Sequence, residues 1–229
     1  DEFGGKLDRM FSPGDEQGTS TRKHSDVAKR AIDVMGSLGF VLLFSWLYVI
    51  IAALIKLTSS GPVFFRQQRM GQSGKEFTFL KFRSMYVNND STIHREYIRK
   101  LIADELDGTN GTYKITNDPR VTRFGRLLRK TSLDELPQFF NVLKGEMSLV
   151  GPRPPIPYEF EKYSLWHRRR ILEAKPGITG LWQVAGRSRT TFDEMVRMDL
   201  RYIRQQSLWL DIKILCKTPI AVLRGNGAY

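Results

Sequence analysis

The stretch VMGSLGFVLLFSWLYVIIAALI, residues 34–55, decides the fold. Its 22 residues carry no charge and lie between Asp33 and Lys56. A straight helix of this length spans about 33 Å at 1.5 Å per residue, enough to cross a bilayer. The stretch is apolar on all sides, which excludes an amphipathic surface helix. The segment therefore predicts membrane insertion. The alternative, a buried core helix, seldom reaches this length without a polar face.

Basic residues flank this stretch on both sides. They are Lys23, Lys29 and Arg30 before it, and Lys56, Arg66, Arg69, Lys75, Lys81 and Arg83 after it. A spanning helix should carry its Lys and Arg excess on the cytoplasmic side only, so these flanks give no orientation. A re-entrant helix resolves the conflict, and Ser45 can help to satisfy the backbone at its break. From the residues alone, spanning and re-entrant geometries both remain open.

Composition excludes several classes of protein. The chain has 229 residues, with 36 Lys and Arg against 24 Asp and Glu, and 41% hydrophobic residues. Its mean hydropathy of -0.33 excludes a polytopic membrane protein, and 11% aromatic residues exclude a disordered chain. The single Cys216 excludes a disulfide framework or a Cys-rich metal site. The net charge of +12 indicates an anionic partner: nucleic acid, phospholipid or a phosphorylated substrate.

The pattern along the chain predicts a mostly helical α+β fold. We expect a flexible leader at 1–24, a membrane-inserted helical segment at 25–60 and a compact catalytic domain at 61–229. Strands at 62–67 and 77–82 predict a small β-hairpin, and residues 151–157 an extended proline-rich loop. Helices are predicted at 90–107, 123–130, 134–144, 192–204 and 208–223, the last of these amphipathic enough to lie on a membrane surface, with turns at 175–180.

Asp134 and Glu135 are the leading candidates for chemistry. We place Asp134 at the N-cap of the helix that ends at Gly145, where the macrodipole favours a carboxylate. A plain N-cap is the alternative interpretation. Arg123, Arg126 and Arg129 precede it on one helix face, and Arg153 follows between two prolines. In cationic surroundings a carboxylate stays ionised and can act as a nucleophile or a metal ligand. The arginines have alternatives too: a solvated helix face, and a structural ion pair for Arg153.

Six motifs in order resemble the bacterial sugar transferase family, the monotopic phosphoglycosyl transferases. They cover residues 27–223 and are Lys29-Arg30-x-x-Asp33 with the apolar stretch, Lys81-Phe82-Arg83-Ser84-Met85, Ser132-Leu133-Asp134-Glu135-Leu136-Pro137-Gln138, Asn141-Val142-Leu143-Lys144-Gly145, Ser148-Leu149-Val150-Gly151-Pro152-Arg153-Pro154 and Lys175-Pro176-Gly177-Ile178-Thr179-Gly180. The resemblance implies transfer of a sugar-1-phosphate from a UDP-sugar to undecaprenyl (polyprenyl) phosphate, the first membrane step of polysaccharide or glycoconjugate assembly.

The resemblance also implies roles for single residues. Asp134 would attack the sugar-linked phosphate, forming a covalent aspartyl phosphosugar and releasing UMP. Glu135 would support activation or metal placement, with Mg²⁺ beside Asp134. Arg129 and Arg153 match phosphate-contacting arginines, and Lys81 lies in a matching basic motif.

The family works at the cytoplasmic face of the bacterial inner membrane, so we expect phospholipid contact and a re-entrant segment. One position departs from the family: many members have Ser-Pro in mid-segment, whereas here Trp46 follows Ser45. Larger members carry further N-terminal membrane helices, so this chain is a candidate for the catalytic portion of a longer protein. A homodimer is a hypothesis without a motif behind it.

The competing interpretation is a membrane-tethered module that binds nucleic acid or anionic lipid. It predicts salt-sensitive binding and no Mg²⁺-dependent turnover. Few aromatic residues are interleaved with the basic ones, as a base-stacking surface would require, so we expect no nucleic-acid partner. No residue specifies which sugar is transferred.

Overall fold

The computed structural model describes residues 19–87, 118–185 and 191–223, together with Glu96 and Arg99. Residues 1–18 of the predicted leader and most of the predicted helix at 90–107 lie outside this range, so both stay predictions. The first helix begins at Thr19, inside the stretch assigned to the leader.

The apolar stretch forms two helices that meet at a bend. Helix α1 runs Thr19–Leu43 and helix α2 runs Ser45–Thr58. Their axes differ by 62° at Phe44, one residue before Ser45. Among the described helices, none alone is long and apolar enough to cross a membrane, whereas this bent pair meets the length and composition criteria together. The predicted break is therefore present without a proline, and membrane insertion itself stays a prediction.

Both arms of the bend contact the segment that follows the predicted nucleophile. Phe40 of α1 stacks on Phe139, with ring centroids 4.2 Å apart. In α2, the Tyr48 hydroxyl donates to the Leu136 carbonyl at 2.8 Å. The second arm also lies in a core cluster of buried residues, Ile51, Ile55, Phe82, Leu128 and Leu136. The bent pair is thus built into the globular domain along one side.

Lys29 and Arg30, two of the basic residues before the apolar stretch, bind within the protein. Lys29 donates to Asp211 Oδ2 at 2.6 Å. Arg30 donates to the carbonyls of Val142 and Leu143 at 2.6 and 2.9 Å. These bonds tie α1 to the globular domain, so the two charges are not available to lipid headgroups.

Arg83, which follows the stretch, also binds oxygen atoms within the protein. It is buried and donates to the carbonyls of Ser59 and Ser60 at 2.8 Å each, just beyond the end of α2. Carbonyls at a helix C-terminus lack intrahelical donors, and a guanidinium satisfies several of them at once. Three of the charges counted as flanks in the sequence, Lys29, Arg30 and Arg83, therefore bind within the fold.

The predicted hairpin is confirmed. Strand β1, Phe64–Met70, pairs antiparallel with strand β2, Glu76–Phe82. The first strand extends to Met70, which pairs with Glu76, so Arg69 lies in the strand rather than in the predicted turn. A second sheet was not predicted: β3, Ser148–Val150, pairs in parallel with β4, Gly177–Thr179. The prediction of turns alone at 175–180 was wrong at β4, because parallel pairing with a distant segment extends the backbone there.

Helices surround the two sheets, which confirms a mostly helical α+β class. They are α3 Arg123–Lys130, α4 Gln138–Lys144, α5 Pro157–Lys162, α6 Leu165–Leu172, α7 Leu181–Ala185, α8 Phe192–Arg204 and α9 Leu208–Leu223. Predictions of α3, α8 and α9 are confirmed with these bounds. The main core packs β2, α4, β3, α8 and α9 around Phe79, Val142, Met147, Tyr202 and Ile214. This core supports the predicted site at the edge where β2 meets α4.

Candidate active site

Asp134 lies in a single 3-10 turn, Leu133–Glu135, which we call the carboxylate turn. Helix α4 begins only after Pro137, which is its N-cap residue. The prediction of Asp134 as N-cap was therefore wrong. An N-cap side chain accepts from the N–H of the second or third helical residue. With Asp134 as cap the second is Leu136, whose N–H donates to the Leu133 carbonyl, and the third is Pro137, which has no N–H. Gly145 ends α4 in the left-handed region, with φ 86°, as predicted.

Lys81 reaches the carboxylate turn from β2. Its Nζ lies 2.6 Å from Glu135 Oε1 and 3.9 Å from Asp134 Oδ2. Asp134 is only 3% exposed, and Lys81 is mostly buried beside it. A cation this close to two neighbouring carboxylates offsets the repulsion between them. Three of the five predicted site residues therefore lie together.

Asn141 explains why β2 and the carboxylate turn meet. This fully buried side chain accepts from the Leu80 N–H at 3.1 Å and donates to the Thr78 carbonyl at 2.7 Å. It thereby occupies the edge of β2 as a neighbouring strand would, one residue before Lys81. Sequence reasoning missed this role, although an Asn among the apolar residues of a predicted helix is a signal of a buried polar contact.

Arg153 lies in an extended loop, residues 151–156, which we call the arginine loop. One side of the loop is fixed to β4: the Gly151 N–H donates to the Thr179 carbonyl and the Gly177 N–H to the Pro152 carbonyl, each at 2.9 Å. A Cβ on Gly177 would lie 2.0 Å from the backbone nitrogen of Gly151. Gly151 and Gly177, which belong to two different sequence motifs, therefore form one close backbone contact. This contact holds the arginine loop against β4.

Arg129 occupies a different place from Arg153. Thr122 is the N-cap of helix α3: its side chain accepts from the Gly125 N–H at 2.8 Å. Arg129 is half-buried near the end of the helix. Hydrogen bonding to Arg120 lowers the pKa of Asp118, and Arg129 adds to this effect from nearby. Across the described residues, no ion pair shorter than 4 Å joins Arg129 to Asp134. The structure thus brings Lys81 to the carboxylates, and the charge of Arg129 also acts on Asp118.

The carboxylate turn fits a magnesium ion only in part. No group of three or more His, Cys, Asp or Glu side chains able to hold a metal occurs in the described part of the chain. Mg²⁺ usually binds one or two carboxylates and takes its remaining ligands from water and substrate phosphates. Asp134 and Glu135 offer that donor set, so they fit an ion that arrives with a diphosphate. They do not form an all-protein cage.

The domain, with a buried carboxylate pair beside a bent apolar helix pair, has known relatives. The model of the family described as bacterial sugar transferase matches residues 24–225. Galactosyl transferase CpsE of Streptococcus agalactiae is 46% identical over 203 residues, 88% of this chain and 43% of that protein. Exopolysaccharide production protein ExoY of Rhizobium meliloti is 41% identical over 214 residues, 93% of each chain.

A third relative, the UDP-glucose:undecaprenyl-phosphate glucose-1-phosphate transferase of Xanthomonas campestris, is 45% identical over 190 residues, 80% of this chain and 36% of that protein. The chain belongs to the bacterial sugar transferase family, which confirms the resemblance and the predicted transferase class. It spans less than half the length of CpsE and of the Xanthomonas enzyme, but nearly all of ExoY.

Proposed function

We propose that this chain transfers a sugar-1-phosphate from a UDP-sugar to undecaprenyl phosphate, in the first membrane step of polysaccharide assembly. The observation that carries the proposal is the buried Asp134, flanked by Glu135 and by the Lys81 ammonium. The names of the relatives supply the substrate class: one is a UDP-glucose:undecaprenyl-phosphate transferase and another a galactosyl transferase. The sugar itself is left open between these and other hexoses.

The reaction takes place in two displacements at phosphorus. An Asp134 carboxylate oxygen attacks the sugar-linked phosphorus of the UDP-sugar. The bond to the bridging oxygen breaks, UMP leaves with that electron pair, and an aspartyl phosphosugar remains. A phosphate oxygen of undecaprenyl phosphate then attacks the same phosphorus. The acyl phosphate bond breaks, which restores the carboxylate and gives undecaprenyl diphosphate sugar. No proton is required in either step.

The surrounding cations stabilise charge that develops during these displacements. Lys81 holds Glu135 beside Asp134 and opposes the negative charge of both groups. Arg153 and Arg129 would contact the diphosphate. Mg²⁺, held by Asp134 with Glu135 and the substrate phosphates, would neutralise the diphosphate when bound.

The proposed setting is the cytoplasmic face of the bacterial inner membrane, with the bent pair re-entrant. In support, the side of the pair that faces away from the domain exposes large apolar side chains. They include Met35, Leu42, Leu43, Trp46, Val49 and Leu57. Exposed apolar patches of this kind mark protein or membrane contacts. A homodimer stays a hypothesis.

The test is UMP release from a panel of UDP-sugars by the detergent-purified chain, with undecaprenyl phosphate and Mg²⁺. Asp134→Asn should abolish release, because an amide oxygen is a far weaker nucleophile. Asp26→Asn, an exposed aspartate of α1, is the matched control and should retain activity. Intact-mass analysis without undecaprenyl phosphate should show one added sugar phosphate on the wild type only. Full activity of Asp134→Asn would remove Asp134 as nucleophile, and salt-sensitive nucleic-acid binding without turnover would favour the binding module.

A further inference from the structure

Arg69, on β1, is a buried arginine between the two parts of the candidate site. Only 7% of the residue is exposed. Burying a guanidinium costs free energy unless its N–H groups are hydrogen-bonded, so the partners of Arg69 indicate its structural role. Its Nε donates to Gln67 Oε1 at 3.0 Å, within the same strand.

The second donor of Arg69 reaches the arginine loop. Its Nη1 donates to the Pro154 carbonyl at 2.9 Å, and the next residue, Met70, donates its backbone N–H to the Pro155 carbonyl at 2.9 Å. These two carbonyls directly follow Arg153. Proline offers no N–H of its own, so the loop can be held on this side only by donors from outside. Arg69 and Met70 supply them.

Arg69 also shares an aromatic ring with the carboxylate side of the site. Its guanidinium carbon lies 5.1 Å from the centroid of Phe79, and Lys81 Nζ lies 5.4 Å from the same centroid. Both distances are within cation–π range. One buried ring of β2 therefore separates the group that holds the arginine loop from the group that holds Glu135.

The charges around Arg69 show that the surrounding structure holds it close to a like charge, Arg153. Burial lowers the pKa of Arg69 to about 10; Glu159 acts in the opposite direction, and the like charge of Arg153 lowers it further. Two guanidiniums that repel each other stay close only if the surrounding structure fixes them. An anion between them and the carboxylate turn would gain from both charges.

We infer that Arg69 is a positioning residue for substrate phosphate binding: by holding the carbonyls of Pro154 and Pro155 it fixes the distance between Arg153 and the Lys81–Asp134 side of the site. This rests on the proposed function, in which Arg153 contacts the diphosphate. Arg69 acts through the loop and through Arg153. Its contribution should therefore exist only while Arg153 is present.

The experiment is a double-mutant cycle of Arg69→Lys and Arg153→Lys in the detergent-purified full chain. UMP release and UDP affinity by calorimetry are both measured. Lysine keeps the charge at position 69 but lacks the planar fork that joins Gln67 to Pro154. Arg66→Lys, an exposed arginine on the same strand, is the matched control. Gln67→Ala removes one partner of Arg69 without touching the buried residue.

We expect Arg69→Lys to lower kcat/KM for the UDP-sugar about 10- to 100-fold, mostly through KM, and to weaken UDP binding similarly. In the Arg153→Lys background the same change should cost less than about threefold, because coupled residues are non-additive. Gln67→Ala should show a smaller loss in the same direction, and Arg66→Lys none.

Additive losses in the cycle would overturn the inference, since they would mean that Arg69 acts independently of Arg153. So would wild-type behaviour of both Arg69→Lys and Gln67→Ala. If Arg69→Lys does not fold, Gln67→Ala in the two Arg153 backgrounds decides the question. A wild-type chain that releases no UMP and binds no UDP would instead remove the proposed function, and this inference with it.

Discussion

The flanks of the bent helix pair and helix α3 are both rich in basic residues, but they use them differently. At the flanks, Lys29, Arg30 and Arg83 bind carboxylate or carbonyl oxygens inside the domain. On α3, Arg123 and Arg126 are exposed. All five contribute equally to the net charge of the sequence. In the fold, three of them are already hydrogen-bonded within the protein.

The difference shows why net charge is a poor guide to a partner. The net charge of +12 indicated an anionic partner, although several of the cations that contribute to it bind within the protein. Removing a basic residue should therefore lower stability where it is buried, activity where it faces the carboxylates, and surface binding where it is exposed. The following changes test that division in order of expected size.

The largest effect is expected at Arg170, whose Nη1 lies 2.7 Å from Asp199 Oδ2. Arg170→Met leaves a buried carboxylate uncompensated and should lower the free energy of unfolding by about 3–5 kcal/mol. The neighbouring Arg169, in a partly exposed pair with Glu173, is the control; Arg169→Met should cost at most about 0.5 kcal/mol. Thermal unfolding in one detergent measures both.

The same pair predicts a pH dependence. Burial raises the pKa of Asp199 to about 6 in the folded protein, above the usual aspartate value of about 3.9. A raised carboxyl pKa means that the folded state binds the proton more tightly, so stability falls as pH rises through the folded pKa. Without Arg170 the pKa of Asp199 should rise further, so this fall in stability should be larger and should continue to higher pH. If Arg170→Met lowered the free energy of unfolding equally at pH 5 and pH 8, this would contradict the raised pKa of Asp199.

A smaller effect is expected at Arg83. Arg83→Met removes the donors to Ser59 and Ser60 at the end of α2 and should lower the free energy of unfolding by about 2–3 kcal/mol. Arg66→Met, at an exposed position of β1, should leave it within about 0.5 kcal/mol of the wild type. Equal unfolding temperatures for the two variants would show that flank cations are not structural.

Lys81→Met should lower the rate of UMP release about 10- to 100-fold, because the carboxylate turn loses its nearest cation. The fold should be retained, since β2 keeps its pairing. Lys75→Met, at an exposed position in the hairpin turn, is the control. Loss of activity in both variants, or in neither, would contradict a specific role of Lys81 in the site.

The smallest effect is expected on α3. Arg123→Gln with Arg126→Gln should leave the unfolding temperature unchanged and weaken binding to vesicles that contain anionic lipid by about 1 kcal/mol per residue. Vesicle co-sedimentation at two salt concentrations measures this. Unchanged binding would mean that this face points away from the lipid.

Sequence reasoning succeeded where structure is local or strongly periodic. Helix α8 has the predicted bounds Phe192–Arg204, with a Thr191 cap, and Gly145 ends α4. It failed at β3 and β4, three residues each, because their pairing joins segments far apart in the chain. At Asp134 it failed because the Leu136 N–H is bonded within the turn Leu133–Glu135 and Pro137 has no N–H to donate to a cap.

The candidate site was predicted in part. Asp134 was singled out from the residues, and Lys81 only through the resemblance; the structure brings the two together. Asn141 and Arg69 were not found as site-forming residues, because each acts on backbone atoms of a segment remote in sequence. Such a contact leaves no recognisable pattern in the neighbouring sequence.

The bend at Phe44 bears on the order in which the chain matures. It contains no proline, and its arms are held by Phe139 and by Leu136, which follows Tyr48 by 88 residues. While residues 34–55 emerge during synthesis, those partners do not yet exist, and the segment's own preference is a straight rod of bilayer length. In the proposed membrane setting, the re-entrant shape is therefore a late event of biogenesis. In that setting, the domain would have to fold before residues 34–55 could settle into one leaflet.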